Sequence, residues 1–184
     1  IAALASAPIT IEGEGTLLHR PMAMMVEPLK ELSVEVRDGG GRLPIEVCGP
    51  MRGGKVVVDG SMSSQFITAL LIALPCAERD TSIEVRDAVS TPYLDMTLEK
   101  LERFGVEVMY NEGDYTQFYV EGGQRYEAVD YTIESDWSAA ASIMVAAAIA
   151  GEVTINNIST LSRQADTAIC RALERAGASL IIEE

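Results

Sequence analysis

The chain has 184 residues, 48% of them hydrophobic, enough to bury a core as one large domain or two small ones. Its 14 basic and 28 acidic residues leave a net charge of −14, which argues against nucleic acid and anionic membrane surfaces as partners but not against a small anion held by local donors. Three scattered cysteines, Cys48, Cys76 and Cys170, have neither zinc spacing nor a disulfide framework, and no apolar run reaches the roughly 18 residues of a membrane span, so a soluble, cytoplasmic protein is expected.

In chain order, residues 1–7 read as the end of an apolar helix and 9–12 as a strand. A helix is expected over 21–32, with Met22, Met25, Val26, Leu29 and Leu32 on one face. Strands follow at 34–36, 45–48 and 55–59, the first two separated by the turn Asp38-Gly-Gly-Gly41. Gly60-Ser-Met-Ser-Ser-Gln-Phe-Ile-Thr-Ala-Leu-Leu-Ile-Ala-Leu-Pro75 then starts with small polar residues and continues as a helix apolar enough to be buried on most sides. Next come a strand at 82–86, a helix at 92–104, and strands at 106–110, 117–121 and 130–134. A second apolar helix, 137–150, precedes a strand at 153–156, a helix at 164–176 and a last strand at 179–182.

This order repeats. Leu29-Lys-Glu-Leu-Ser-Val-Glu-Val36, Leu101-Glu-Arg-Phe-Gly-Val-Glu-Val108 and Leu173-Glu-Arg-Ala-Gly-Ala-Ser-Leu180 are variants of one helix-to-strand corner, 72 residues apart each time. The same interval lays Ser64 over Asp136 and Ile83 over Ile155. Gly105 and Gly177 suit a helix end that needs positive φ, and Ser33 takes that place in the first unit at a modest cost. Both termini cut through a unit, so the chain is expected to be an internal piece of a longer protein.

The start of the 63–75 helix admits two readings. A helix N-terminus offers unpaired N–H groups and a positive dipole end, so Ser61, Ser63, Ser64 and Gln65 suit an anion. Equally, one serine there can simply cap the helix, although no capping box forms because Phe66 stands three residues after Ser63.

Four segments together carry a resemblance to a known family. Gly60-Ser-Met-Ser-Ser-Gln-Phe-Ile-Thr-Ala-Leu-Leu71 is similar to the phosphate-binding helix start of the 5-enolpyruvylshikimate-3-phosphate synthases. Leu18-His-Arg-Pro-Met22 resembles their Arg-Pro helix entry, and Val89-Ser-Thr-Pro-Tyr-Leu-Asp-Met-Thr-Leu98 their Ser-x-Pro-Tyr segment. Ile133-Glu-Ser-Asp-Trp-Ser-Ala-Ala-Ala-Ser142 resembles their acidic-Gly-Asp-x-Ser segment, with Ser135 in place of glycine.

The resemblance implies an α/β (α+β) fold of repeated βαβαββ units, about two and a half of them here. Residues 1–133 would be the last two units of one domain and 134–184 a partial first unit of the other. The implied reaction moves the enolpyruvyl group of phosphoenolpyruvate to the 5-hydroxyl of shikimate 3-phosphate, through a tetrahedral intermediate, and releases phosphate. It needs no metal or other cofactor.

The site residues are carried over in the same way. Arg20 would hold phosphoenolpyruvate through a permanently charged, bidentate guanidinium; by itself it reads as a surface arginine at a helix entry. Ser63 and Ser64 would bind the phosphate of shikimate 3-phosphate, and Gln65 would reach both substrates. Ser90 would add a phosphate contact and Tyr93 a contact beside the shikimate ring, where the residues alone read as a proline-initiated helix start. Asp136 is expected to accept N–H bonds at its own helix start, His19 to be an exposed loop residue, and Trp137 to pack at the domain crossover.

By the same resemblance, family segments are expected both before residue 1 and after residue 184 and the proton-transfer groups fall outside this chain, so no catalytic residue is assigned and the missing remainder of the chain is the expected partner. UDP-N-acetylglucosamine enolpyruvyl transferase shares the architecture but lacks the Ser-Ser-Gln helix start. A non-catalytic phosphate-binding module on the same repeat is the rival from another class. An RNA-processing enzyme is disfavoured by the charge.

Overall fold

A computed structural model describes residues 1–182. The chain divides into two compact units, residues 1–129 and 130–184.

In the first unit, β1 (Ile9–Ile11), β2 (Glu35–Asp38) and β3 (Ile45–Cys48) form an antiparallel sheet in the order β1-β3-β2. A second sheet contains β4 (Gly54–Asp59), β5 (Thr81–Arg86), β6 (Val108–Tyr110) and β7 (Gln117–Val120) in the order β4-β5-β7-β6. Its β5-β7-β6 part repeats the antiparallel order of the first sheet one interval later, and β4 adds a parallel edge. The 72-residue repeat is thus a repeat of topology.

Alternation decides which face is buried. Val56, Val58, Ile83, Val85, Phe118 and Val120 point inward and are almost wholly buried, while Lys55, Ser82, Glu84 and Gln117 point to solvent. Helices α1 (Val26–Glu31), α2 (Gln65–Ala73) and α3 (Thr91–Arg103) supply the rest of the core through Leu29, Ile67, Leu70, Leu71, Leu94, Leu98 and Leu101. The helix-to-strand corners end as the repeat requires: Ser33, Gly105 and Gly177 have φ of 69°, 78° and 92°.

Several expected elements are shorter. The 21–32 segment becomes a 3-10 turn at Ala23–Met25 followed by α1. Pro28 lacks the N–H that an interior helical position requires, so it fits only in a first turn, and α1 starts just before it. Residues 1–7 hold one 3-10 turn, Ala2–Leu4, and a further 3-10 turn at Gly15–His19 was not anticipated.

The second unit departs most from expectation. It contains α4 (Trp137–Ala150), a 3-10 turn at Ala165–Ala168 and α5 (Ile169–Arg175), whereas the strands expected at 130–134, 153–156 and 179–182 are absent. Residues 133–135 and 156–157 do lie side by side. Ser135 N donates to Asn157 O at 2.9 Å and the Asn157 amide to Ile133 O at 3.1 Å. One backbone bond is no ladder. In the first unit β7 pairs with both β5 and β6, and no such central strand is present among the described residues of the second. Helix α4, although apolar along its length, buries only Trp137 and Ala140.

Candidate functional site

The parallel pair β4-β5, in register from Gly54↔Thr81 to Asp59↔Arg86, ends with two loops on one edge. One leads to α2 and the other to α3. Ligands of open α/β sheets bind outside the carboxyl ends of parallel strands, where helix starts point their N–H groups outward.

Gly60 holds these loops together. Its N–H donates to Arg86 O at 2.8 Å, and its carbonyl accepts from Val89 N at 3.3 Å. A Cβ there would meet Ala88 Cα at 3.0 Å, Val85 Cγ1 at 3.1 Å and Arg86 O at 3.2 Å. Glycine suits this close approach, because a side chain here would press the two loops apart by a few tenths of an ångström. The helices are also joined further along, where the Thr68 and Thr97 hydroxyls lie 3.1 Å apart.

Ser63 Oγ accepts from Gln65 N at 3.1 Å, closing a local turn before α2. Ser64, at the N-cap, is only 4% exposed, yet its side chain makes no capping hydrogen bond. Since no buried side-chain oxygen among the described residues lacks a partner, the Ser64 hydroxyl must reach the surface. Gln65 is exposed. Across the paired loop, Ser90 is exposed and left-handed, with φ 56° and ψ 40°, and Tyr93 lies in the first turn of α3 with its ring partly exposed.

A left-handed serine is uncommon and costs conformational energy. It turns the chain sharply into Pro92, which suits the first turn of α3. The edge therefore presents Ser63, Ser64, Gln65, Ser90 and Tyr93 from two stapled loops, with uncharged donors. Asp59 stands just behind. Hydrogen bonds from the Ser61 hydroxyl and backbone N–H hold its carboxyl below the usual range.

Arg20 is not joined to this edge. It is exposed, follows the 3-10 turn on the side of the first sheet, and has no ion pair among the described residues. His19 is exposed too. In the second unit, Asp136 caps α4, its Oδ1 accepting from Ser138 N at 2.8 Å, as expected. Trp137 is buried, its indole N–H donating to Ser159 O at 2.9 Å. Gln164 bridges Trp137 N at 2.8 Å and Ser135 O at 3.0 Å.

An open depression of about 610 Å³ lies on the solvent face of the second sheet, and none of the expected site residues lines it. Among the described residues no cluster of three or more His, Cys, Asp or Glu could hold a metal ion. No described helix is long and apolar enough to cross a membrane. Sequence reasoning missed the roles of Gly60, Thr68 and Thr97. Gly60 stood in the motif, and a glycine between a strand and a polar helix start was the available signal.

The fold and this edge define an α/β protein built on a βαβαββ repeat, with paired helix starts suited to an anion. The family model for EPSP synthase (3-phosphoshikimate 1-carboxyvinyltransferase) matches residues 1–184, and the chain belongs to that family. The 3-phosphoshikimate 1-carboxyvinyltransferase of Yersinia ruckeri is 40% identical over 92% of this chain and 40% of its own length. That of Sulfurovum sp. is also 40% identical, over 96% of this chain and 42% of its own. The solved EPSP synthase of Acinetobacter baumannii superposes with a TM-score of 0.73 at 26% identity, covering 100% of this chain and 41% of that one. The chain thus spans about two fifths of the length of these relatives.

Proposed function

We propose that the protein acts in enolpyruvyl transfer from phosphoenolpyruvate to the 5-hydroxyl of shikimate 3-phosphate, and that this chain supplies part of the substrate site. The carrying observation is the unbonded, surface-reaching hydroxyl of the otherwise buried Ser64. It opens a helix start stapled to the loop that bears Ser90. Hydroxyls and backbone N–H groups suit a phosphate because they donate without losing a proton at neutral pH.

In this reading Ser63, Ser64 and Ser90 hold the phosphate of shikimate 3-phosphate, Tyr93 lies beside its ring, and Gln65 reaches toward both substrates. Arg20 takes the phosphoenolpyruvate anion by a charge-assisted, bidentate contact. Residues 1–133 form part of one domain and residues 134–184 part of the other, with the remainder of the family's length as partner. Transfer protonates C3 of phosphoenolpyruvate as the 5-oxygen adds to C2. Loss of phosphate then removes a C3 proton and restores the double bond. No group at this edge is assigned to that proton transfer, so the isolated chain binds without turning over. The three free cysteines accord with a reducing cytoplasm.

Calorimetric titration with shikimate 3-phosphate, against unsubstituted shikimate, tests this reading. Binding that requires the phosphate and disappears in the Ser63→Ala/Ser64→Ala variant is expected. Equal affinity for both ligands, or binding unaffected by the double substitution, would place the phosphate elsewhere. Turnover by the pure chain with both substrates would overturn the reading that it binds without carrying out proton transfer.

A further inference from the structure

Beyond the two helix starts, α2 and α3 are joined by a hydrogen-bonded chain whose direction can be deduced. Thr97 Oγ1 donates to Tyr93 O at 2.8 Å, and a carbonyl can only accept. The single hydroxyl proton of Thr97 is thereby used. The contact of 3.1 Å between Thr97 Oγ1 and Thr68 Oγ1 must then be donated by Thr68. Thr68 is itself tied to the α2 start, its N–H donating to Ser64 O at 2.9 Å. Ser64, Thr68, Thr97 and Tyr93 thus form one continuous path between the first turns of two helices.

We propose that the Thr68–Thr97 hydroxyl pair is a positioning device that fixes the spacing between the starts of α2 and α3. Gly60 fixes the loops on the strand side and the threonine pair fixes the helices beyond, so the two serine-bearing starts are held at both ends. A device of this kind is needed because both helices pack through apolar side chains, which resist separation but allow sliding. A directed pair of hydroxyls sets the register. Naming shikimate 3-phosphate as the molecule held by that spacing rests on the proposed function; the coupling of the two helix starts does not.

Valine matches the shape of threonine without its hydroxyl, and serine keeps the hydroxyl. The experiment compares the wild-type chain with Thr68→Val, Thr97→Val and Thr68→Ser, each verified as folded by circular dichroism. Amide hydrogen exchange is read in the second turns of α2 and α3, where the N–H groups are bonded within the helix. In Thr68→Val, exchange is expected to rise about fivefold in the second turn of α3, the helix that was not altered. In Thr97→Val it rises likewise in α2, and Thr68→Ser behaves as wild type. A response confined to the substituted helix, or an equal response to serine, overturns the proposal.

Titration with shikimate 3-phosphate separates this inference from the ligand assignment. An affinity loss of about fivefold in both valine variants and none in the serine variant is expected. If the wild-type chain fails to bind, the ligand reading fails while hydrogen exchange still decides the positioning role. If exchange responds across the helices but affinity stays constant, the pair has no positioning role for the ligand, and that part of the proposal is refuted.

Discussion

Helices α2 and α4 hold the same place in the 72-residue repeat but lie in different surroundings. In α2, Ile67, Leu70, Leu71 and Ala73 are all less than 4% exposed, packed against α3 and within the hydrophobic core of the first unit. In α4, the counterparts of Leu71 and Ala73 are Ile143 and Val145, exposed at 51% and 39%. The apolar pattern is shared and the burial is not. What differs is the sheet, since β4, β5 and β7 form a complete ladder in the first unit while the second contains no strand among its described residues. An apolar helix face thus declares a need for cover, which the rest of the unit must supply.

Core truncation offers the largest contrast. Leu71→Ala leaves a cavity in a closed core and is expected to cost about 2–5 kcal/mol. Ile143→Ala removes a side chain already half in water and should stay within about 0.5 kcal/mol. Urea unfolding followed by circular dichroism compares them, and equal losses would mean that the α4 face is covered in solution.

A smaller effect tests what holds the second unit together. Gln164 is buried and serves both Trp137 N and Ser135 O. Replacing it by alanine strands those groups at a cost of about 1–3 kcal/mol. Trp137 is the only tryptophan, so a lower midpoint for the red shift of its emission reports this unit alone. An unchanged midpoint would show that the bridge contributes nothing.

The two helices also differ in how much the sequence reveals. Trp137–Ala150 was bounded correctly from composition alone, and the left-handed corners at 33, 105 and 177 followed from the repeat. Strands in the second unit were not legible, because an alternating segment such as Asp130-Tyr-Thr-Ile-Glu134 records a tendency while a ladder requires a neighbour. At the candidate site, the serines were visible as polar residues at the head of an apolar run. The Val89–Gly60 backbone bond and the Thr68–Thr97 bond each join segments 29 residues apart. No local pattern encodes such a meeting.

The helix starts give the third contrast. Asp136 caps α4 through Ser138 N, whereas Ser64, its counterpart, makes no cap bond. Asp136→Ala is therefore expected to cost about 1 kcal/mol, read again through Trp137. Ser64→Ala should change stability by less than about 0.5 kcal/mol. A large loss in Ser64→Ala would return that serine to a plain structural role.

The smallest expected effect depends on pH and belongs to the first unit. The Tyr126 hydroxyl donates to Ile72 O in α2 at 2.7 Å. Burial, and secondarily the neighbouring Cys76, push its pKa from 10.0 up to about 12. The protonated phenol is the form that donates, and folding favours it. Its contribution is therefore complete below the unfolded value near 10 and disappears as pH rises through about 12. Because the ring is 39% exposed, solvent screening limits the effect to about a few tenths of a kcal/mol. Between pH 9 and 12, wild type should lose slightly more stability than Tyr126→Phe, the difference isolating this phenol from the other tyrosines. Parallel curves would show that the bond to Ile72 adds nothing to the cover that distinguishes α2 from α4.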